Sequence, residues 1–246
     1  MASTNFQLFK DLHDNAKPLL IGNAWNVPSA LLLQDAGYKA IATSSSAIAG
    51  SLGYEDGEAI PFEQLFYIVE RLLTVLKVPL SVDLEGGYSA DIPGLLENVR
   101  RLVDIGVVGI NLEDSLTGGV RDLQSTETYV RRLEAVANTL TRENRSIFIN
   151  ARTDAFLLKL PDALAITKER IGAYEKAGAT GIFVPFMPEL TDIKQITGAT
   201  ALPVNDILVP GKFTVQQMTD AGLRRISLGG GFYRQVYQPL EKLRQD

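Results

Sequence analysis

Carboxylates and one arginine gather at the ends of short apolar runs in this chain. They are Asp83 and Glu85 in PLSVDLEGGY, Glu113 and Asp114 in GVVGINLEDS, Arg152 and Asp154 in SIFINARTDAF, and Asp56 in SLGYEDGE. Each of the first three clusters follows a β-rich stretch long enough for one buried strand. In a parallel barrel all strand ends of one sense open on the same face, so residues from separate runs would meet there. Asp83 and Glu85 are two apart, and a regular strand would point both carboxylates to one side, with Glu113 of the next run beside them. Three carboxylates held that close repel one another, which favours a bound cation. Oxygen donors without histidine or thiolate suit Mg2+ or Mn2+, bound partly through water. The competing reading pairs the same carboxylates with arginines and lysines at the strand ends.

Arg152 carries a planar fork that matches a carboxylate with two parallel hydrogen bonds. It grips a carboxylate substrate, or it is an ion-pair partner of Glu113 or Asp154, and a bridging arginine does both. Thr43, Ser44, Ser45 and Ser46 end the second run. Their hydroxyls and backbone N–H groups can cradle a carboxylate or an oxyanion, and serines in that position equally cap a helix. No histidine is placed to activate a serine and no GxSxG elbow occurs, which argues against a serine hydrolase. Gly229, Gly230 and Gly231 follow the last run, where barrels bind phosphate; a close backbone turn explains them nearly as well. Gly86-Gly87 and Gly118-Gly119 flank the carboxylates and predict mobile loops. Trp25 either walls the site or packs in the core, and the lone His13 is expected at the surface.

The elements that must position these residues are legible as a repeat. Eight apolar runs recur: Leu19 to Asn23, Ala40 to Thr43, Leu80 to Asp83, Gly109 to Glu113, Ile147 to Ala151, Gly181 to Val184, Val204 to Leu208, and Ile226 to Leu228. Most are rich in Val and Ile without strict alternation, as strands buried on both faces should be. Between them, Phe62 to Leu76 carries an apolar stripe of 3.6-residue period, and Leu95 to Ile105, Thr126 to Leu140 and Ala163 to Ala177 read alike. Gly37, Gly106, Gly178 and Gly222 stand where left-handed helix caps are wanted. Strands alternating with helices predict a single (β/α)8 TIM barrel over residues 1–246. Phe232 to Gln245 reads as a final amphipathic helix, packed on its own barrel or on a neighbour.

Composition removes several classes. The chain has 246 residues, 46% of them hydrophobic, enough for a sizeable core. A net charge of -5 argues against nucleic acid. There is no cysteine, so disulfides, thiolate zinc sites and cysteine nucleophiles are excluded, and one histidine makes no zinc cluster. The polar N-terminus lacks the apolar core of a secretory signal, and no apolar run approaches the roughly 20 residues of a membrane span. The expectation is a cytoplasmic protein with no membrane or nucleic-acid partner.

The runs ATSSSAIAGSLGYEDGE, SVDLEGGY, INLEDS, NARTDAF and GIFVP stand in the order found in the isocitrate lyase and phosphoenolpyruvate mutase superfamily. The chain resembles that superfamily over nearly its whole length. The resemblance implies a (β/α)8 barrel whose last helix is often exchanged between subunits, giving a homodimer or homotetramer. It implies a Mg2+ (or Mn2+) site from Asp83, Glu85 and Glu113, largely through water, with Asp56 close by. Ser44, Ser45 and Ser46 would hold the substrate's carboxylate or keto oxygen, Arg152 would bind the substrate, and Trp25 and Asn205 would border the pocket. The implied chemistry makes or breaks a bond next to the carbonyl of a small 2-oxo acid, through an enolate that the metal stabilises.

The loop after Glu113, SLTGGVRDLQ, departs from the pattern. It lacks the Lys-Lys-Cys-Gly-His sequence of the isocitrate and methylisocitrate lyases and the lysine and asparagine of the phosphonate-forming mutases. Glu85 also stands where an aspartate is more usual. A Mg2+-dependent lyase or decarboxylase of a small 2-oxo acid or related dicarboxylate, with Asp56, Glu113 and Arg152 catalytic, survives these losses. The alternatives are a carbon–phosphorus bond enzyme using Arg121 for the phosphoryl group, and a binding protein for 2-oxo acids without turnover. Selectivity for the substrate's tail is expected from Ser115 to Asp122, Trp25, Tyr54, Phe186 and Met187.

Overall fold

The computed structural model describes residues 4–15, 17–116 and 121–242, with side chains to residue 239. Eight parallel strands close into a barrel in chain order: β1 (Leu19–Ala24), β2 (Ile41–Thr43), β3 (Leu80–Asp83), β4 (Gly109–Glu113), β5 (Phe148–Arg152), β6 (Gly181–Phe183), β7 (Val204–Ile207) and β8 (Arg225–Ser227). All eight expected strands are present. Helices cover the outside: α1 (Thr4–Asp11), α2 (Val27–Asp35), α3 (Ser45–Ser51), α4 (Phe62–Leu73), α5 (Ile92–Asp104), α6 (Thr126–Arg142), α7 (Ala163–Lys176), α8 (Leu190–Thr197), α9 (Val215–Asp220) and α10 (Gly231–Lys242). The predicted Gly118-Gly119 loop and the end of the predicted last helix lie outside the described residues. Among the described residues no helix is long and apolar enough to cross a membrane.

Local chemistry sets the helix starts. Asp91 caps α5 by accepting the Gly94 N–H at 2.8 Å, and Pro93 sits in its first turn. The helix therefore begins at Ile92, ahead of the apolar stripe from Leu95. Gly37, Gly106, Gly178 and Gly222 all have positive φ, as their cap positions require. The stripe of α4 buries Leu65, Val69 and Leu72, and that of α5 buries Leu95, Val99 and Leu102. These side chains meet outward-facing strand residues such as Val82, Ile110, Leu112 and Ile182 in the main core.

A second, smaller core fills the lower barrel: Phe9, Leu19, Ile21, Ala40, Ala42, Val108 and Phe148. Phe9 of α1 closes that end, fully buried and edge-on to Phe148 at 5.6 Å. The fit depends on a missing side chain, because a Cβ on Gly109 would lie 2.8 Å from Phe9 Cε1. His13 overturns the surface expectation. Its ring stacks on Phe148 at 4.3 Å, Nδ1 lies 2.8 Å from the Phe9 carbonyl, and only 3% of the residue is exposed. Burial, with Arg225 nearby, pushes its pKa down to about 3.

Above this plug the barrel interior turns polar. The register pairs Asp83 with Asn111, Asn111 with Asn150, and Asn205 with Arg225. Asn150 donates to Asn111 Oδ1 at 2.9 Å, and Asn111 donates to Asp83 Oδ1 at 3.1 Å. Arg225, 1% exposed, lies within 3.5 Å of Asn111 Oδ1. One turn of the alternation higher, β4 and β5 present Glu113 and Arg152, paired in register at the barrel mouth.

Candidate active site

A cavity of about 280 Å³ opens at the C-terminal ends of the strands, lined by Ser44, Ser45, Ser46, Asp56, Asp83 and Arg152 among others. Two larger clefts, one lined by residues between Leu12 and Lys39 and one by His13 and Arg224, open at the opposite end of the barrel, and a third, lined by Glu58, Gly86, Ser115 and Arg132, lies among the loops after β3 and β4. None of them gathers Asp56, Asp83, Arg121 and Arg152, so the smaller cavity is the candidate site.

Its floor is Asp83, the last residue of β3. Asp83 Oδ2 accepts from Ser45 Oγ at 2.9 Å and from the Ser45 N–H at 3.2 Å, and Oδ1 takes the Asn111 amide. Ser44 caps α3, its hydroxyl accepting from the Ala47 N–H at 3.4 Å and lying 3.2 Å from Ser46 Oγ. The serine run is thus both a helix cap and a cavity wall. Asp56, on the loop after α3, takes the Ser45 hydroxyl at 3.3 Å. Burial and the charge of Asp83 hold its carboxyl above the ordinary range.

Glu113 lies behind this wall and is 1% exposed. Arg121 Nη2 donates to its Oε1, and Arg152 Nη1 stands 2.9 Å from its Oε2 without an aligned N–H, an ion pair rather than a hydrogen bond. Arg152 also forks onto Asp154, Nε to Oδ1 at 2.7 Å and Nη2 to Oδ2 at 3.0 Å. Burial pushes Glu113 up to about 7 against the pull of both arginines. At Asp154 burial acts the same way, but the guanidinium of Arg152 overcomes it and holds the carboxyl low. Asp114 points the other way, outside the barrel, bound by Arg170 at 2.9 Å and the Tyr174 hydroxyl at 2.6 Å. It accepts the Asp154 N–H at 3.1 Å and so fixes the strand end that carries Arg152.

Several placements correct the sequence reading. Glu85 does not continue the strand: φ is +49° and its side chain turns to the Glu58 N–H at 3.0 Å and the Tyr88 hydroxyl at 2.6 Å. Its carboxyl is pushed up to about 8 by burial and by Asp56, Asp83 and Glu113, so it shares their field without lining the cavity. Trp25 does not line it either, since its indole packs edge-on against Phe232 and Tyr233. Asn205 is 1% exposed within the barrel wall, its amide unpaired. Tyr54 bonds Gln64 and Met187 is core, whereas Phe186 does reach the cavity. Asn111, Leu157, Phe183 and Arg234 line it without having been singled out. Their types, an amide and a phenylalanine inside strands, a leucine on a loop and an arginine on the last helix, carry no signal of their own.

The donor set can be tested against a divalent cation. Among the described residues no group of three carboxylates converges into a ready cage. Mg2+ does not need one, because it keeps several waters and takes one or two carboxylates. Asp83 faces the cavity, and burial together with the charge of Asp83 raises the carboxyls of Asp56, Glu85 and Glu113 around it. A hard cation would relieve that surplus, so the residues fit a water-shelled Mg2+ or Mn2+.

The model of the phosphoenolpyruvate phosphomutase family matches residues 9–245. A protein of Burkholderia cenocepacia J2315 described as a candidate phosphonomutase has a solved structure that superposes with a TM-score of 0.93 at 33% identity, covering 99% of this chain and 100% of that one. An uncharacterized protein of Mycobacterium tuberculosis (strain ATCC 25618 / H37Rv) is 32% identical over 223 residues, 90% of this chain and 81% of that protein. The 2-methylisocitrate lyase of Escherichia coli (strain K12) is 31% identical over 194 residues, 76% of this chain and 64% of the lyase. With the barrel, the strand-end site and a match over nearly its full length, the chain belongs to the phosphoenolpyruvate phosphomutase family of the isocitrate lyase and phosphoenolpyruvate mutase superfamily.

Proposed function

We propose that the chain is a Mg2+-dependent lyase or decarboxylase of a small 2-oxo acid or its hydroxy-acid precursor. The observation that carries this reading is Asp83: a carboxylate oriented by Ser45 and Asn111, facing a cavity whose opposite charges are the arginines Arg121 and Arg152. Asp83 would hold the cation, with Glu85 and Glu113 reaching it through water. When bound, the cation supplies Lewis-acid polarisation of a keto oxygen.

The chain's own residues do the rest. A guanidinium has five N–H groups, and the contacts of Arg152 to Glu113 and Asp154 engage each nitrogen once, leaving N–H capacity toward a substrate acid. Leu157, Phe183, Phe186 and Ile207 form an apolar wall that excludes water from the bond being broken and strengthens each charge contact. Asp56 is the cavity-lining carboxyl not committed to the cation. With Ser45 bonded to it, Asp56 is assigned the proton delivered to the cleaved carbon. That assignment answers the loop lacking the lyases' cysteine.

Carbon–phosphorus chemistry is the second reading, favoured by the 33% identity with the Burkholderia protein. Exposed Val236 and Tyr237 on α10 support the expected assembly, since a second copy would cover them. One experiment separates the readings: 2-oxo and 2-hydroxy acids, phosphonopyruvate included, incubated with Mg2+ or Mn2+ and followed by product NMR. Pyruvate or glyoxylate release from a 2-oxo or 2-hydroxy acid supports the lyase. Phosphate from phosphonopyruvate supports the second reading, and binding without any product would show a protein that has lost turnover.

A further inference from the structure

Two buried charges in the barrel lack a group of opposite sign in contact. Asp83, at the floor of the cavity, takes the Ser45 hydroxyl, the Ser45 N–H and the Asn111 amide, all of them neutral donors. The arginines of the mouth, Arg121 and Arg152, pair with Glu113 and Asp154 instead. Arg225 is the second charge. It is 1% exposed, forms no ion pair with any described residue, and its Nε and Nη1 meet no hydrogen-bond partner there.

One amide joins the two. β8 and β4 stand on opposite sides of the closed barrel, so the Arg225 side chain reaches across the axis. Its Nη2 donates to Asn111 Oδ1 at 3.5 Å, and Asn111 Nδ2 donates to Asp83 Oδ1 at 3.1 Å. A guanidinium offers only donors and an ionised carboxylate only acceptors, so both ends fix the same orientation of the amide. The Arg225 contact is long for a hydrogen bond, yet a full charge still selects which end of the amide dipole faces it. Phe9 closes the barrel below, with its ring centroid 5.9 Å from the guanidinium carbon. In such an enclosed place charges act over longer distances than in water. Burial pushes the Arg225 pKa down to about 10 while the charge of Asp83 pushes it back up, so the side chain is a cation at neutral pH.

We propose that Arg225 is the internal counter-ion of Asp83 and limits the affinity of the site for its cation. The inference rests on the reading of Asp83 as the residue that holds Mg2+ or Mn2+. From inside the barrel the guanidinium balances the carboxylate through the oriented amide. A divalent cation arriving from the cavity meets that positive charge behind the carboxylate, and gains less there than it would from a carboxylate with no cation near it.

Mn2+ titration of metal-stripped, substrate-free protein, read by electron paramagnetic resonance, tests this. Arg225→Met and Arg225→Gln both remove the charge, and Gln keeps a donor for Asn111. Both should bind Mn2+ at least about tenfold tighter than wild type, because a unit and a double charge one amide apart repel by that much even at an effective dielectric of about 20. Arg225→Lys keeps the charge and should stay within about threefold of wild type. At one fixed Mn2+ concentration the rise in unfolding temperature should be larger in the two neutral variants, since a tighter ligand stabilises the fold more. Each variant is compared with its own metal-free form, so a loss of basal stability does not enter. Unchanged or weaker Mn2+ binding in both neutral variants, with Asp83→Asn still lowering affinity, overturns the counter-ion role and leaves the reading of Asp83 intact. Equal tightening in Arg225→Lys would assign the effect to shape and overturn it as well. If Asp83→Asn leaves Mn2+ binding unchanged, the cation is held elsewhere, and the reading of Asp83 and the inference fail together.

Discussion

Glu113 and Arg152 face each other across β4 and β5, paired in register, with Arg152 Nη1 2.9 Å from Glu113 Oε2. The pair joins the carboxylate group around Asp83 to the arginine that lines the cavity, and Arg121 closes it from the other side. Glu113→Gln keeps the shape and removes the charge, leaving both arginines to share Asp154. Breaking a buried pair from one side costs up to about 3–5 kcal/mol, less here because Arg121 is partly exposed. Turnover in the NMR assay should fall at least about a hundredfold, with a lower unfolding midpoint. Wild-type turnover in Glu113→Gln would remove Glu113 from the mechanism.

Metal removal tests Asp83 separately. Dialysis against a chelator should abolish turnover, and Mg2+ or Mn2+ should restore it. Asp83→Asn can still accept the Ser45 hydroxyl, so the fold should hold while Mn2+ affinity, read by electron paramagnetic resonance, drops by about tenfold or more. Unchanged Mn2+ binding in Asp83→Asn would place the cation elsewhere.

The barrel plug predicts a purely structural phenotype. Phe9 is fully buried and contacts Phe148, so Phe9→Ala should cost about 3–5 kcal/mol, the usual range for deleting a buried aromatic ring. Because Phe9 sits at the end of the barrel opposite the cavity, the kcat of the folded fraction should stay within about twofold. A large kcat loss with little change in denaturant midpoint would contradict that separation.

The strands were readable because parallel strands buried on both faces leave continuous apolar runs, and the helices because their stripes have a 3.6-residue period. The site's strand-end residues were readable for the same reason: Asp83, Glu113 and Arg152 end such runs. What was hidden depends on space and backbone. Glu85 leaves the strand through a positive φ that its residue type does not announce. Arg225 begins β8 and is buried, yet a charged residue at the edge of an apolar run reads as outside it. The inward turn of His13 depends on a glycine about a hundred residues away making room for Phe9, a relation no local pattern contains.

The lone histidine makes its titration separable. Its folded pKa is pushed to about 3 from an ordinary 6.5, so the folded state keeps it neutral while the unfolded chain takes a proton below 6.5. Its contribution to stability is therefore fully present above about pH 6.5 and is lost as pH falls from there toward 3. Between pH 7 and pH 5 the loss is about 2 kcal/mol. Glu85, Glu113 and the buried Asp206 of β7, raised to about 8, 7 and 7, act with the opposite sign: their contributions shrink as pH rises from the ordinary carboxylate range through those values. The total curve mixes both, but His13→Gln removes only the first. Urea unfolding of metal-free protein at pH 7 and pH 5 should show wild type losing about 2 kcal/mol relative to His13→Gln. Parallel curves for the two proteins would mean that His13 is charged in the fold, and that its stack on Phe148 is not closed to a proton.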